Sequence, residues 1–238
     1  LEDLLSRELQ AKGAKHLALR LAMARLPLQK TLEQFDCKFQ PSIDVKVLRE
    51  LATGRYLEHG EKVLLLGPPG GGKTHLAVAL GMKACEQGHR VLFTTAMGLL
   101  ASLGKALSET RLDAKLQALT QPQVLIIDAI GYIPIDRQGA KLFLPLIARR
   151  YKRGAVIVTS NQSLGAWGDV FGDPVLATAL LDRLLHHSIT INSKGERDRL
   201  REKLTAGLIK PKFPGETGSE KTTASETARG TTIGRRSD

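Results

Sequence analysis

Between residues 62 and 192 the chain alternates two kinds of apolar spacing. Some runs are short and largely apolar: KVLLLG at 62–67, RVLFTT at 90–95, VLIID at 124–128, AVIVTS at 155–160 and SITIN at 188–192. Strands covered on both faces read this way, because each side chain meets apolar neighbours whichever way it points. The segments between the runs are long enough for helices. The pattern therefore predicts an α/β fold with a five-stranded, mostly parallel sheet and crossover helices on both sides. Residues 96–123 exceed one crossover helix and predict an additional helical insertion.

Before the first run the spacing is helical. Leu1, Leu4, Leu5 and Leu9, then Leu17, Leu21 and Met23, recur at helix intervals. Gly13 is expected to divide two helices and Pro27 to end the second, giving a helical N-terminal module over residues 1–30. FDCKFQPSID follows as an irregular stretch, with Ser42 as the expected N-cap of a helix reaching about Tyr56. The main domain is expected over 31–210, closed by the charged GERDRLREKL as a short helical lid. Residues 211–238 are rich in Gly, Ser and Thr and predict a flexible tail.

Charge narrows the class of partner. Lysine and arginine number 35 against 24 acids, a net charge of +11. Residues 51–210 hold 21 basic and 13 acidic side chains, so most of the excess lies in the main domain rather than in a basic tail. A basic folded domain fits a polyanionic partner, nucleic acid above all. The alternative is a basic surface without such a role. No apolar run approaches the ~18 residues of a membrane span. With no signal-peptide pattern, a cytoplasmic chain is expected. Cys37 and Cys85 have no metal-like spacing and read as reduced structural thiols.

The first apolar run leads straight into GPPGGGKT, Gly67, Pro68, Pro69, Gly70, Gly71, Gly72, Lys73 and Thr74, and then into the helical THLAVALG. Strand, glycine-rich turn, Lys-Thr and helix in that order form a phosphate-binding loop. Glycines let backbone amides approach phosphate oxygens, and the helix N-terminus adds partial positive charge. Lys73 can neutralise the β- and γ-phosphates of ATP, and the Thr74 hydroxyl can ligate Mg2+. The third run ends in Asp128. A carboxylate there, on a strand expected to lie beside the phosphate-loop strand, can share the Mg2+ with Thr74. A plain turn residue before AIGYIP is the competing reading of Asp128.

With these motifs in place the chain resembles the AAA+ ATPases of the initiator and helicase-loader branch, and within it the IstB-like helper ATPases of insertion sequences. The resemblance rests on TLEQFDCKFQPSID, GPPGGGKTHLAVALG, LIIDAIGYIPID, VIVTSNQSLGAWGDVFGDPVLATALLDRLLHHS and REKL, spanning residues 31 to about 204. It implies that Asn161 is the sensor 1 residue beside the γ-phosphate and that Arg183 is an arginine finger reaching a neighbouring subunit. It implies a sensor 2 arginine at Arg199, with Arg197 as a rival because the segment departs from the family's usual SYR. His75 closes the nucleotide-binding stretch. Phe35, Phe39 and Ile43 are candidates for the adenine pocket, or plain core. His186 and His187 read as helix-end residues rather than metal ligands, and Trp167 as loop packing.

The resemblance also implies partners: duplex DNA, an IstA-like transposase and further copies of the chain. Lys105, Arg111 and Lys115 in the insertion, with Arg137 and Lys141 after Asp128, are the candidate phosphate contacts. Each is equally a solvated surface charge. Arg149, Arg150, Lys152 and Arg153 form the densest basic cluster, part of which a helix C-terminus explains. The activity implied is an ATP-dependent regulator of transposition, with a DnaC-like helicase loader as the alternative. One position departs from the family's DEIGY: Ala129 stands where a glutamate would activate water. ATP is then expected to bind and to turn over very slowly. The alanine reads as an introduced substitution that traps the ATP-bound assembly, with a natural hydrolysis-poor variant as the alternative.

Overall fold

The computed structural model describes residues 2–37, 40–151 and 153–193. The expected lid, including Arg197 and Arg199, and the expected tail lie outside the described residues, as does Phe39. All described residues belong to one compact unit.

The elements follow one another as α1 (Glu2–Ala24), α2 (Val45–Ala52), α3 (Arg55–Glu58), β1 (Lys62–Leu66), α4 (Lys73–Glu86), β2 (Val91–Thr95), α5 (Ala96–Ser108), α6 (Leu112–Leu119), β3 (Val124–Ile130), α7 (Arg137–Arg150), β4 (Ala155–Ser160), α8 (Trp167–Val170), α9 (Pro174–Leu185) and β5 (Ser188–Asn192). All strand pairings are parallel, in the order β2-β3-β4-β1-β5. Each apolar run is a strand. Within a strand, alternate residues feed opposite cores: Leu64, Leu125, Ile127, Val156 and Val158 face one, and Val63, Leu65, Ile126 and Ile157 the other. Two buried faces are why the central runs β1, β3 and β4 carry no polar alternation, while the edge strand β5 alternates.

Four local expectations are corrected. Gly13 does not divide α1, which runs unbroken through it; nothing lies within 4 Å of the place its Cβ would take. A lone helical glycine costs only about 0.5–1 kcal/mol, too little to break a helix that packs elsewhere. The packing comes from the C-terminal half of α1, where Ala24 is buried and Leu17 and Leu21 are half-buried against the core. The N-cap of α2 is Asp44 rather than Ser42, with its carboxylate accepting from the Lys46 amide at 2.8 Å. That helix stops before Gly54, whose φ of +81° breaks the run to Tyr56. Trp167 is fully buried at the start of α8 against Phe171, so it is core rather than loop packing.

The fourth correction concerns the basic cluster at the end of α7. Arg150 is buried there and acts as a clamp. Its guanidinium donates to the carbonyls of Leu119 (2.8 Å), Pro122 (3.0 Å), Ala155 (2.9 Å) and, more weakly, Gln123 (3.4 Å). It thus ties the end of α6 to the start of β4, and burial lowers its pKa. Arg149 pairs with Asp113 across to α6. The insertion before β3 is real and consists of α5 and α6. No described helix is long and apolar enough to cross a membrane.

Candidate nucleotide site

The phosphate loop leaves the C-terminal end of β1, between β4 and β5. Gly67 donates its amide to the Ser160 carbonyl of β4 at 3.2 Å, and Ser193, just past β5, donates to Leu66 O at 2.8 Å. A side chain at Gly67 would collide with the Ser193 carbonyl, 2.0 Å from an ideal Cβ. At the other end of the loop, Gly72 has φ +77°, and an added Cβ would sit 2.6 Å from the ring of Phe35. Only glycine combines that left-handed backbone with that clearance. Phe35 meets His75 edge to face at 5.4 Å, and His75 Nε2 lies 2.9 Å from Thr31 O. The irregular segment before β1 is therefore fastened onto the start of α4, with Phe35 and Ile43 buried there.

A cavity of about 390 Å3 opens at this point, lined by Gly70, Gly71, Gly72, Lys73, Thr74, His75, Asp128, Ala129, Tyr132 and Thr159. Lys73 is buried, with its ammonium on the Pro68 carbonyl at 2.7 Å. Burial lowers its pKa, and the negative charge of Asp128 partly opposes that shift. Thr74 donates its hydroxyl to Asp128 Oδ1 at 2.9 Å. The pair expected to share a cation is thus in contact, although β4 lies between β1 and β3, so the two strands are not neighbours as expected.

The end of β3 is irregular. Its register against β4 slips between Ile127 and Ile130, and Ala129 has φ +68°. In a regular strand residues 128 and 129 would point to opposite faces. The bulge lets both line one cavity. An alanine in the left-handed region costs about 1–2 kcal/mol, strain held by its surroundings.

The other expected site residues are distributed as follows. Asn161 stands one residue past β4, and its buried Oδ1 has no hydrogen-bond partner among the described residues. It lies against Gly131, where an added Cβ would meet that oxygen at 2.9 Å. Arg183 is away from its own phosphate loop, on α9. It donates to Ala179 O at 2.9 Å and lines a separate cavity with Ala148, Tyr151, Asp182 and His186. His186 caps α9, with Nδ1 2.9 Å from the Tyr151 hydroxyl. Lys105, Arg111 and Lys115 converge on one hollow, but Glu109 sits among them, 3.9 Å from Lys105 and in contact with Arg111. Arg137 pairs with Asp173 at 3.0 Å, while Lys141 is exposed. Sequence reasoning missed Tyr132 and Thr159. The signal for Thr159 was present: a hydroxyl at the C-terminal end of an otherwise apolar central strand.

The cavity suits a nucleoside triphosphate with Mg2+. Its glycines allow a tight loop that a Cβ would force against Ser193 or Phe35, a buried ammonium lines it, and a hydroxyl–carboxylate pair supplies hard oxygen ligands. Comparison with known proteins agrees on ATP. The sequence profile of IstB-like ATP-binding proteins matches residues 1–206. The chain belongs to that family. It is 55% identical to an insertion sequence IS21 protein of Pseudomonas aeruginosa named for ATP binding, over 86% of this chain and 77% of that one. A counterpart from insertion sequence IS5376 of Geobacillus stearothermophilus is 47% identical over 84% and 80%. Among solved structures the fold is that of the DnaC helicase loader, with TM-score 0.54 and 22% identity over 63% of this chain and 87% of that one. It is shared with AMPPCP-bound DnaA from Aquifex aeolicus, with TM-score 0.57 and 18% identity over 79% and 58%. The AAA+ fold expected from the motifs is the fold of this IstB-like chain.

Proposed function

We propose that this IstB-like chain is an ATP-dependent regulator of transposition that binds Mg2+-ATP, assembles as several copies on duplex DNA and engages a partner transposase. The observation that carries the reading is the Thr74–Asp128 contact of 2.9 Å at the mouth of the phosphate cradle. Mg2+ held by Thr74 and Asp128 would supply charge neutralisation for the phosphates. The chain's own residues do the rest. Loop amides and Lys73 hold the phosphates, Thr74 and Asp128 offer oxygen ligands, and the Phe35 segment walls the base end. Asn161, one residue past the end of β4, orients the attacking water. Arg183 is remote from its own cradle and completes that of a neighbour. Lys105, Arg111 and Lys115 offer a backbone-reading, salt-sensitive surface for DNA.

Ala129 fixes the tempo. It lines the cradle but carries no proton acceptor, and general-base assistance is worth about 10²–10⁴-fold. ATP then holds the assembly rather than driving it through rapid cycles. The test is light scattering with ATP, Mg2+ and a random duplex. The chain forms multi-subunit particles that Arg183→Ala weakens; monomers in every condition overturn the reading. Capture of a transposase rather than a hexameric helicase separates this role from helicase loading.

A further inference from the structure

β4 is the strand between the phosphate loop and Asp128. Its last two residues are polar and buried, Thr159 and Ser160. Ser160 supports the loop by accepting from Gly67. Thr159 faces the other way, and its hydroxyl is held at both ends: it accepts from the Ala129 amide at 2.8 Å and lies 2.6 Å from Asp128 Oδ1. An amide can only donate, so the hydroxyl oxygen is the acceptor there and its own proton is sent to the carboxylate. The chain Ala129 N–H to Thr159 O–H to Asp128 therefore has one polarity.

Asp128 Oδ1 receives two hydroxyl donors, Thr74 and Thr159. They are not equivalent. Thr74 belongs to the phosphate loop, and its oxygen is the one that a cation between the phosphates would recruit. Thr159 sits in a sheet strand, almost fully buried, with its acceptor side already occupied by Ala129. It is the donor that can keep the carboxylate aimed when Thr74 turns away. The same hydroxyl pins the one backbone amide at the slip in register, where residue 129 takes φ +68°. It thereby sets the direction of both successive side chains that line the cavity.

We propose that Thr159 is a positioning residue for this site, coupling the orientation of the Asp128 carboxylate to the left-handed bulge that points residue 129 into the cradle. The proposal rests on the nucleotide-site reading and deepens it. Its function is exerted through Asp128 and residue 129, not by touching the nucleotide. Threonine suits the place because its methyl group satisfies a buried strand while its single hydroxyl both accepts and donates. Valine keeps the shape and loses the coupling; serine keeps the coupling and loses the methyl group.

The experiment measures affinity of the full chain for a fluorescent ATP analogue, with Mg2+ and with EDTA, for the native chain, Thr159→Val and Thr159→Ser. Partners that orient metal-holding carboxylates are typically worth ~10–100-fold in metal affinity. Thr159→Val is expected to need at least ten times more Mg2+ for half-maximal tightening, with its EDTA affinity unchanged; Thr159→Ser recovers the native response. In the Ala129→Glu background, Thr159→Val is expected to cancel the gain in hydrolysis and Thr159→Ser to preserve it. Thermal melting of the three chains separates this effect from unfolding, since a merely structural threonine would lower EDTA affinity and Mg2+ response together. An unchanged Mg2+ response in Thr159→Val, beside a responsive native chain, overturns the role of Thr159 alone. A native chain whose nucleotide affinity ignores Mg2+ overturns the underlying site as well.

Discussion

Replacing Arg150 by methionine tests whether the end of α7 is a clamp or a patch of surface charge. Methionine keeps much of the buried stem and removes the guanidinium. Of the four carbonyls Arg150 serves, those of Leu119 and Ala155 are bonded in fully buried surroundings, at 2.8 and 2.9 Å. Those of Pro122 and Gln123 are partly open to water, and Gln123 O keeps the Ala155 amide as a donor. Ala155 O also keeps a donor, because β4 pairs with β3 in a parallel ladder, so Leu119 O is the acceptor left bare, at a cost of about 1–3 kcal/mol with about 2 as the working value. That is a large share of the ~5–15 kcal/mol that holds a domain together. With a urea m-value of about 2–3 kcal/mol/M, the midpoint should fall by roughly 0.5–1 M. Arg153 is exposed in the same basic run, and Arg153→Met should move the midpoint by no more than about 0.5 kcal/mol in equivalent stability. Equal midpoints for the two variants would refute the clamp.

Three further outcomes follow from the cradle. Gly72→Ala introduces both a left-handed alanine and a contact at 2.6 Å with Phe35, whereas Gly88→Ala has φ +94° and nothing within 4 Å; denaturation should show both losing about 1–2 kcal/mol from the backbone. Only Gly72→Ala should also lose about tenfold or more in ATP affinity by titration, and equal affinities would remove Phe35 as the wall of the site. Lys73→Ala should abolish nucleotide binding, and persistent affinity would count against the cradle. Because burial holds the Lys73 pKa below the ordinary 10.5 in the free protein, the unfolded chain holds more protons between the lowered value and 10.5. In that alkaline window this group makes stability rise with pH, while ATP, which needs the ammonium, binds more weakly as pH rises and takes up protons. Calorimetry in buffers of different ionisation enthalpy reads that uptake, and its absence would separate Lys73 from the phosphates.

The strands were legible because the central ones are covered on both faces and read as apolar throughout: all five runs became strands, with Leu64 and Val63 dividing between the two cores. The phosphate loop was legible because its chemistry is contiguous. What the sequence could not carry was lateral order. It placed the Asp128 strand beside the loop strand, while β4 lies between them, and with β4 comes Thr159. Nor does spacing reveal a bulge. The φ of +68° at Ala129 comes from the register slip and its amide's partner, not from any turn residue in DAIGY. Arg150 was invisible for a similar reason: within RRYKR nothing separates the arginine that points inward from its neighbours, and only the carbonyls of a distant helix end select it. Gly13 shows the converse, a residue whose modest local cost is outweighed by packing further along the same helix, at Leu17, Leu21 and Ala24.

The measurement closest to the central claim is single-turnover ATP hydrolysis, run beside equilibrium ATP binding, for the native chain and Ala129→Glu. If the cradle binds ATP and lacks only its base, the native chain binds with Mg2+-dependent affinity and scarcely hydrolyses. Ala129→Glu then binds equally well and hydrolyses about 10²–10⁴ times faster. Fast turnover by the native chain, or no gain on restoring the glutamate while binding persists, would contradict the account.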